Sequence, residues 1–166
     1  MCFRKQPDKW KQFEPTQEYL DTIKPLTSIV KLWDYSKTHF NYKGDIKDYW
    51  CTPIEFLAAK DGDCENWCRW YVDILVRVIN QDGARFIIHS GYNKARWGDK
   101  LNHHAICVFP YKDKYAVLDV KQFASGYEDY IATGRRMFPD GLTYQEVRDW
   151  AGRILSKKRR LFGGIF

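Results

Sequence analysis

Gly62-Asp63-Cys64-Glu65-Asn66-Trp67-Cys68 places a cysteine where a turn runs into a helix. Asp63 carries the short acceptor side chain of an N-cap. Trp67, Cys68, Tyr71, Val72, Leu75, Val76 and Ile79 then recur at helical spacing as a wide apolar stripe. Gly83, after Asn80-Gln81-Asp82, is a natural stop for that helix. Past Gly83 the pattern changes to strand-like runs over 84–90, 103–109 and 115–120, with a long loop across 91–102. Helices first and consecutive strands afterwards predict an α+β fold, the cysteine-bearing helix packed on an antiparallel sheet.

Upstream, Thr52-Pro53-Ile54-Glu55 has capping-box spacing with proline at the first helical position, so a helix starts there and ends before Gly62. Two extra N-terminal helices are expected over 16–23, capped by Thr16, and over 26–40, with Tyr42-Lys43-Gly44-Asp45 as a turn. A last helix is expected over 144–155. The organisation reads as an arm over 1–15, a single domain over 16–156, and a basic, glycine-containing tail over 157–166.

A cysteine at a helix N-terminus, followed by a histidine and an aspartate in strands, is the order of parts in a thiol hydrolase or acyl transferase. The thiolate is the nucleophile, and a free thiol titrates at about 8.5. The helix dipole favours ionisation of Cys64, whereas Asp63 and Glu65 oppose it, so a histidine must supply much of the activation. His103 and His104 point to opposite faces of their strand. A hairpin with Tyr111-Lys112 at its tip sets Pro110 against Asp113 and His104 against Asp119, a carboxylate beside an imidazole as a catalytic base requires. A one-residue slip selects His103 instead, so His103 stands as the alternate base. Cys68, Cys107 and Cys51 read as core residues. Cys64 and Cys68 with the nearby histidines lack the paired spacing of a zinc site, so no metal and no cofactor is expected.

The 166 residues suffice for one domain with a real core, and 45% hydrophobic and 17% aromatic content excludes a disordered chain. The net charge of +6 owes much to Lys157-Lys158-Arg159-Arg160. Basic residues gathered at one end read as a solvated tail rather than a general nucleic-acid binder, with a polyanion contact through that tail left open. The start of the chain lacks the apolar core of a signal peptide, and no run spans a membrane. Five cysteines, an odd count without scaffold spacing, fit free thiols and synthesis in the cytoplasm, with later release by lysis or incorporation into a virion left open.

Together, Trp50-Cys51-Thr52-Pro53-Ile54-Glu55, Gly62-Asp63-Cys64-Glu65-Asn66-Trp67, His103-His104-Ala105-Ile106 and Val117-Leu118-Asp119 resemble the transglutaminase-like cysteine peptidases of the papain-like superfamily, in a small bacterial or phage form. The resemblance spans about residues 42–120. It implies a papain/transglutaminase-like core, amide-bond chemistry through a thioester, and a protein, peptide or peptidoglycan-peptide substrate. By position it implies Cys64 as nucleophile, His104 as base and Asp119 as orienter. Ala58 stands where papain-type enzymes carry a glutamine, which leaves the Trp50 indole N–H as a candidate oxyanion donor. The alternative is a non-catalytic structural or virion-associated protein on the same fold.

Overall fold

A computed structural model of the chain describes residues 10–44 and 49–159. Three helices come early: α1 (Gln17–Ile23), α2 (Ile29–His39) and, after the two-residue strand β1 (Asn41–Tyr42), α3 (Pro53–Ala59). Thr16 caps α1 as its spacing predicts, and α2 begins at Ile29 behind its cap Ser28 rather than at position 26. The box at α3 is closed, Glu55 N donating to Thr52 Oγ1 at 3.2 Å and Thr52 N to Glu55 Oε2 at 2.6 Å.

Lys60 turns the chain with a positive φ into β2 (Asp61–Gly62), which pairs in parallel with β1, Tyr42 opposite Gly62. A side chain at position 62 would lie 2.9 Å from Asn66 and 3.0 Å from Phe56, so only glycine admits this tight entry. Helix α4 (Cys64–Arg77) follows, capped by Asp63.

The expected apolar stripe of α4 is buried from Trp67 to Leu75 and partly buried at Val76, Ile79 lies past the helix end, and much of the helix's polar side is buried too. Arg69 donates to the carbonyls of Cys51 at 2.8 Å and Lys11 at 2.6 Å, and Asp73 accepts from the Tyr19 hydroxyl at 2.6 Å and from Arg77 at 2.7 Å. Such partners are what permit charged groups at this depth. They also draw residues 10–15 onto the domain, where Trp10 meets Phe86 edge-on at 5.2 Å.

The rest of the domain is an antiparallel six-stranded sheet in the order β6-β5-β4-β3-β7-β8. Its strands are β3 (Arg85–Tyr92), β4 (Asn102–Tyr111), β5 (Lys114–Asp119), β6 (Gln122–Tyr127), β7 (Gly141–Arg148) and β8 (Ile154–Arg159). Helix α4 covers the face bearing Phe86, Ala105, Cys107, Phe109, Ala116 and Leu118. The opposite face, with Ile87, Ile106, Val108, Val117 and Val147, is covered by α6 (Tyr130–Met137) through Tyr130 and Met137. The architecture is therefore the expected α+β one, with a cysteine-bearing helix on an antiparallel sheet.

Three expectations are corrected. The helix expected over 144–155 is instead β7, a tight turn and β8. Strand β7 lies between β3 and β8, so Gln145, Glu146, Val147 and Arg148 are all buried and no alternation survives in the sequence. Glu146 and Arg148 neutralise each other at 2.6 Å, and Lys157 reaches Glu146 at 2.9 Å. The tail expected from 157 onward begins instead within the fold, because Lys157 to Arg159 belong to edge strand β8; residues 160–166 lie outside the described residues. The loop over 91–102 contains the end of β3 and a one-turn helix, α5 (Lys94–Trp97).

Among the described residues, no helix is long and apolar enough to cross a membrane.

Candidate functional site

The β4–β5 hairpin turns at Lys112-Asp113, with Tyr111 opposite Lys114 and Pro110 opposite Tyr115. The expected partner of Pro110 was Asp113, so the register differs by two positions. A two-residue shift preserves the faces of a strand, whereas one residue would invert them. His104 and Asp119 thus share a face, and His104 Nε2–H donates to Asp119 Oδ1 at 2.7 Å. That bond assigns the ring tautomer and leaves Nδ1 as the nitrogen able to take a proton.

Asp119 is held from both neighbouring helices. The Tyr71 hydroxyl of α4 donates to the Val120 carbonyl, and the Trp33 indole of α2 donates to the Lys121 carbonyl at 3.1 Å. Val120 sits at φ 47°, an unfavourable backbone conformation for a β-branched residue, which those two clamps help to maintain.

Cys64 is the first residue of α4 and 7% exposed. Its S–H donates to Glu65 Oε2 at 2.9 Å. Burial pushes the thiol well above its ordinary pKa, and the Glu65 charge and hydrogen bond and the Asp63 charge push the same way. The Ala105 backbone amide, the residue after His104 on β4, pulls in the opposite direction. Cys64 at rest is a neutral thiol bonded to a carboxylate, not a stored thiolate. His104 pairs with Asp119, while Glu65 and the Ala105 backbone take up the thiol.

His103 lies on the α4 side of β4, exposed, and its Nδ1 shares a 2.6 Å hydrogen bond with Ser90 Oγ. Trp50 is buried with its ring 5.3 Å from that of Phe86 and the Arg148 guanidinium 5.4 Å over it. Phe86 pairs with Cys107, so the Trp50 indole packs at a level of the sheet beyond Ala105, where Cys64 contacts β4. Cys68 and Cys107 are fully buried and Cys51 nearly so, with burial driving the Cys51 thiol up to about 12. Among the described residues no group of three or more His, Cys, Asp and Glu could hold a metal ion.

Two residues at the site gave no signal in the sequence. Tyr42, assigned there to a turn, is tied by β1 beside Gly62, and partial burial raises its pKa together with the charges of Cys64, Asp63, Glu65 and Asp119. The phenol, mostly exposed, lies within electrostatic reach of all four groups. His89, directly opposite His104 on β3, is completely buried. The Thr133 hydroxyl donates its proton to the Tyr130 carbonyl at 2.7 Å and must therefore accept from His89 Nε2–H at 3.1 Å. His89 Nδ1 then has no partner and faces Gly134, where an added Cβ would lie 2.5 Å away. Burial first, and the neighbouring His104 second, lower its pKa to about 3. A neutral ring beside His104 thus supports it without a competing charge.

No family model and no curated protein matches the sequence. Among solved structures, the chain is similar to calcium-bound Legionella pneumophila LapG at 22% identity, covering 76% of this chain and 68% of that one with a TM-score of 0.48. The EGTA-treated form of LapG gives 21% identity over 76% and 67% of the two chains, TM-score 0.49. A TGase crystal structure is similar at 15% identity over 77% of this chain and 39% of that one, TM-score 0.38.

Proposed function

We propose that this chain is a cysteine-dependent amide-bond hydrolase or acyl transferase acting on a protein, peptide or peptidoglycan peptide. Cys64 is its nucleophile, His104 its base and Asp119 the residue that orients the base. The single observation that carries this reading is the 2.7 Å bond from His104 Nε2 to Asp119, on the strand whose next residue, Ala105, meets the Cys64 sulfur.

Because the thiol is neutral at rest, proton removal accompanies attack. His104 Nδ1 takes the Cys64 proton as sulfur adds to the carbonyl carbon, and the resulting imidazolium is stabilised by Asp119. The same proton then passes to the departing amine, leaving a Cys64 thioester. Water, deprotonated by His104, or an acceptor amine attacks that thioester and restores the thiol. The Cys64 backbone N–H, in the first turn of α4 and outside its helical ladder, is one oxyanion donor. Tyr42, within electrostatic reach of Cys64 from the adjoining β1, suits the second donor position better than Trp50 does.

The alternative, a non-catalytic structural or virion-associated protein, draws support from the burial and raised pKa of Cys64. The two are separated by exposing the protein to a peptide-library substrate mixture and trapping the acyl-enzyme by acid quench for mass spectrometry. An acyl mass on the peptide containing Cys64, absent from Cys64→Ser and from His104→Ala but present in His103→Ala, supports the enzyme. No acyl adduct and no turnover across the library would leave the structural alternative standing.

A further inference from the structure

Three carboxylates belong to the site, and two of them are engaged in holding it together. Asp63 accepts from Asn66 N at 3.3 Å as the cap of α4, and Asp119 accepts from His104 at 2.7 Å. Glu65 has only the thiol: Cys64 S–H donates to its Oε2 at 2.9 Å, and among the described residues it makes no other hydrogen bond and no ion pair. Glu65 is half-buried whereas Cys64 is 7% exposed, so this carboxylate links the sulfur to solvent.

In the first half of an amide-cleaving reaction this carboxylate is a hindrance, because its charge and hydrogen bond keep the sulfur protonated. Once Cys64 carries an acyl group the effect reverses. A thioester sulfur has no hydrogen to give, so Glu65 Oε2 loses its donor and becomes an acceptor in want of one. The carbonyl carbon to be attacked is one bond from that sulfur. His104 Nδ1, having passed its proton to the departing amine, is again a base.

We infer that Glu65 is the catalytic residue of the second step, holding the nucleophile that resolves the Cys64 thioester. This assignment rests on the amide-cleaving reading of Cys64. An attacking water gives one O–H to His104 Nδ1 and the other to Glu65 Oε2, which aims its lone pair at the carbonyl carbon. The oxygen bonds to carbon as the first proton moves to His104. The C–S bond then breaks, the sulfur takes that proton from His104, and the S–H returns to Glu65. Repulsion between the carboxylate and a bare thiolate favours departure of the sulfur as the thiol. A primary amine offers the same two hydrogens and a secondary amine only one, so water and primary amines are the acceptors this arrangement suits.

The test uses p-nitrophenyl acetate, a small acyl donor, with the full chain in a stopped-flow spectrometer. Acetylation releases p-nitrophenolate as a burst, the steady state that follows reports deacetylation, and peptide mass mapping locates the acetyl group. Glu65→Gln keeps a neutral acceptor, whereas Glu65→Met keeps none. The burst should be no slower in either variant than in wild type. Deacetylation should slow by at least about tenfold in Glu65→Gln and about a hundredfold in Glu65→Met, the low end of a proton-handling contribution. Loss of the fold alone would slow both steps. Wild type should also transfer acetyl to methylamine at least about tenfold faster than to dimethylamine, a preference that Glu65→Met should lose. Deacetylation in Glu65→Met within about twofold of wild type, or parallel slowing of both steps, overturns the role of Glu65 and leaves Cys64 as nucleophile. A wild-type protein in which Cys64 is never acetylated, or is acetylated equally fast in His104→Ala, removes the catalytic reading and this assignment with it.

Discussion

Replacing Glu65 with glutamine removes the charge bonded to the Cys64 thiol while keeping its shape. The Cys64 sulfur and Glu65 Oε2 are 2.9 Å apart. Two unit charges about 3 Å apart repel by roughly 1.4 kcal/mol in water and roughly 5.5 kcal/mol at the effective dielectric of about 20 that suits protein sites. Glu65 is half-buried, so its effect falls between these limits. One pKa unit corresponds to about 1.4 kcal/mol, so the thiol should fall by at least about one unit and by as much as about four. Asp63 and burial remain and keep it above an ordinary cysteine. The assay is the pH dependence of iodoacetamide labelling of wild type and Glu65→Gln, with peptide mapping to isolate Cys64. At pH 7.5 the variant should label about ten times faster or more, with its titration midpoint displaced to lower pH. An unchanged midpoint, or slower labelling, would refute the claim that this carboxylate keeps the Cys64 thiol protonated.

The buried His89 makes stability acid-sensitive. Its folded pKa of about 3 lies below the ordinary 6.5, so its contribution is complete above 6.5 and is lost as pH falls towards 3. Between pH 7 and 5 this costs about 2 kcal/mol, and urea unfolding of His89→Gln should show a correspondingly flatter pH profile. Gly134→Ala drives a methyl into that ring and should cost about 1–3 kcal/mol in the same unfolding measurement. Tyr42→Phe should lower kcat/KM by about tenfold to a hundredfold on any substrate that acylates Cys64, while leaving iodoacetamide labelling near the wild-type rate. Equal effects on both would assign Tyr42 to thiol access instead of oxyanion binding.

Local chemistry made α3 and α4 legible in the sequence. A capping box, a proline and an N-cap aspartate act within a few residues, and the structure uses each of them where its spacing predicts. The meeting of His104 and Asp119 was accessible for a different reason: the tip of the hairpin lies one residue from its expected place, which displaces the cross-strand register by two, and an even displacement keeps both residues on one face. The C-terminal third was illegible because its determinants are tertiary. Strand β7 is covered on both faces, and the charges of Glu146 and Arg148, which read as solvent-facing, neutralise each other inside. Tyr42 and His89 join the site through a two-residue parallel pairing and a sheet register that no short window of sequence contains.

The described cysteines, Cys51, Cys64, Cys68 and Cys107, are all unpaired and buried, and they do not share one route to solvent. Cys68 and Cys107 lie sealed between α4 and the sheet. Cys64 sits at the first turn of α4, below a strand pair only two residues long. The molecule therefore carries two clocks in one kind of atom. Modification of Cys68 or Cys107 has to wait for the sheet and its central helix to part, and so times global opening. Modification of Cys64 requires only a local excursion at the β1–β2 edge. The ratio of the two rates, read from one labelled sample, measures how far the site can open while the rest of the protein stays folded.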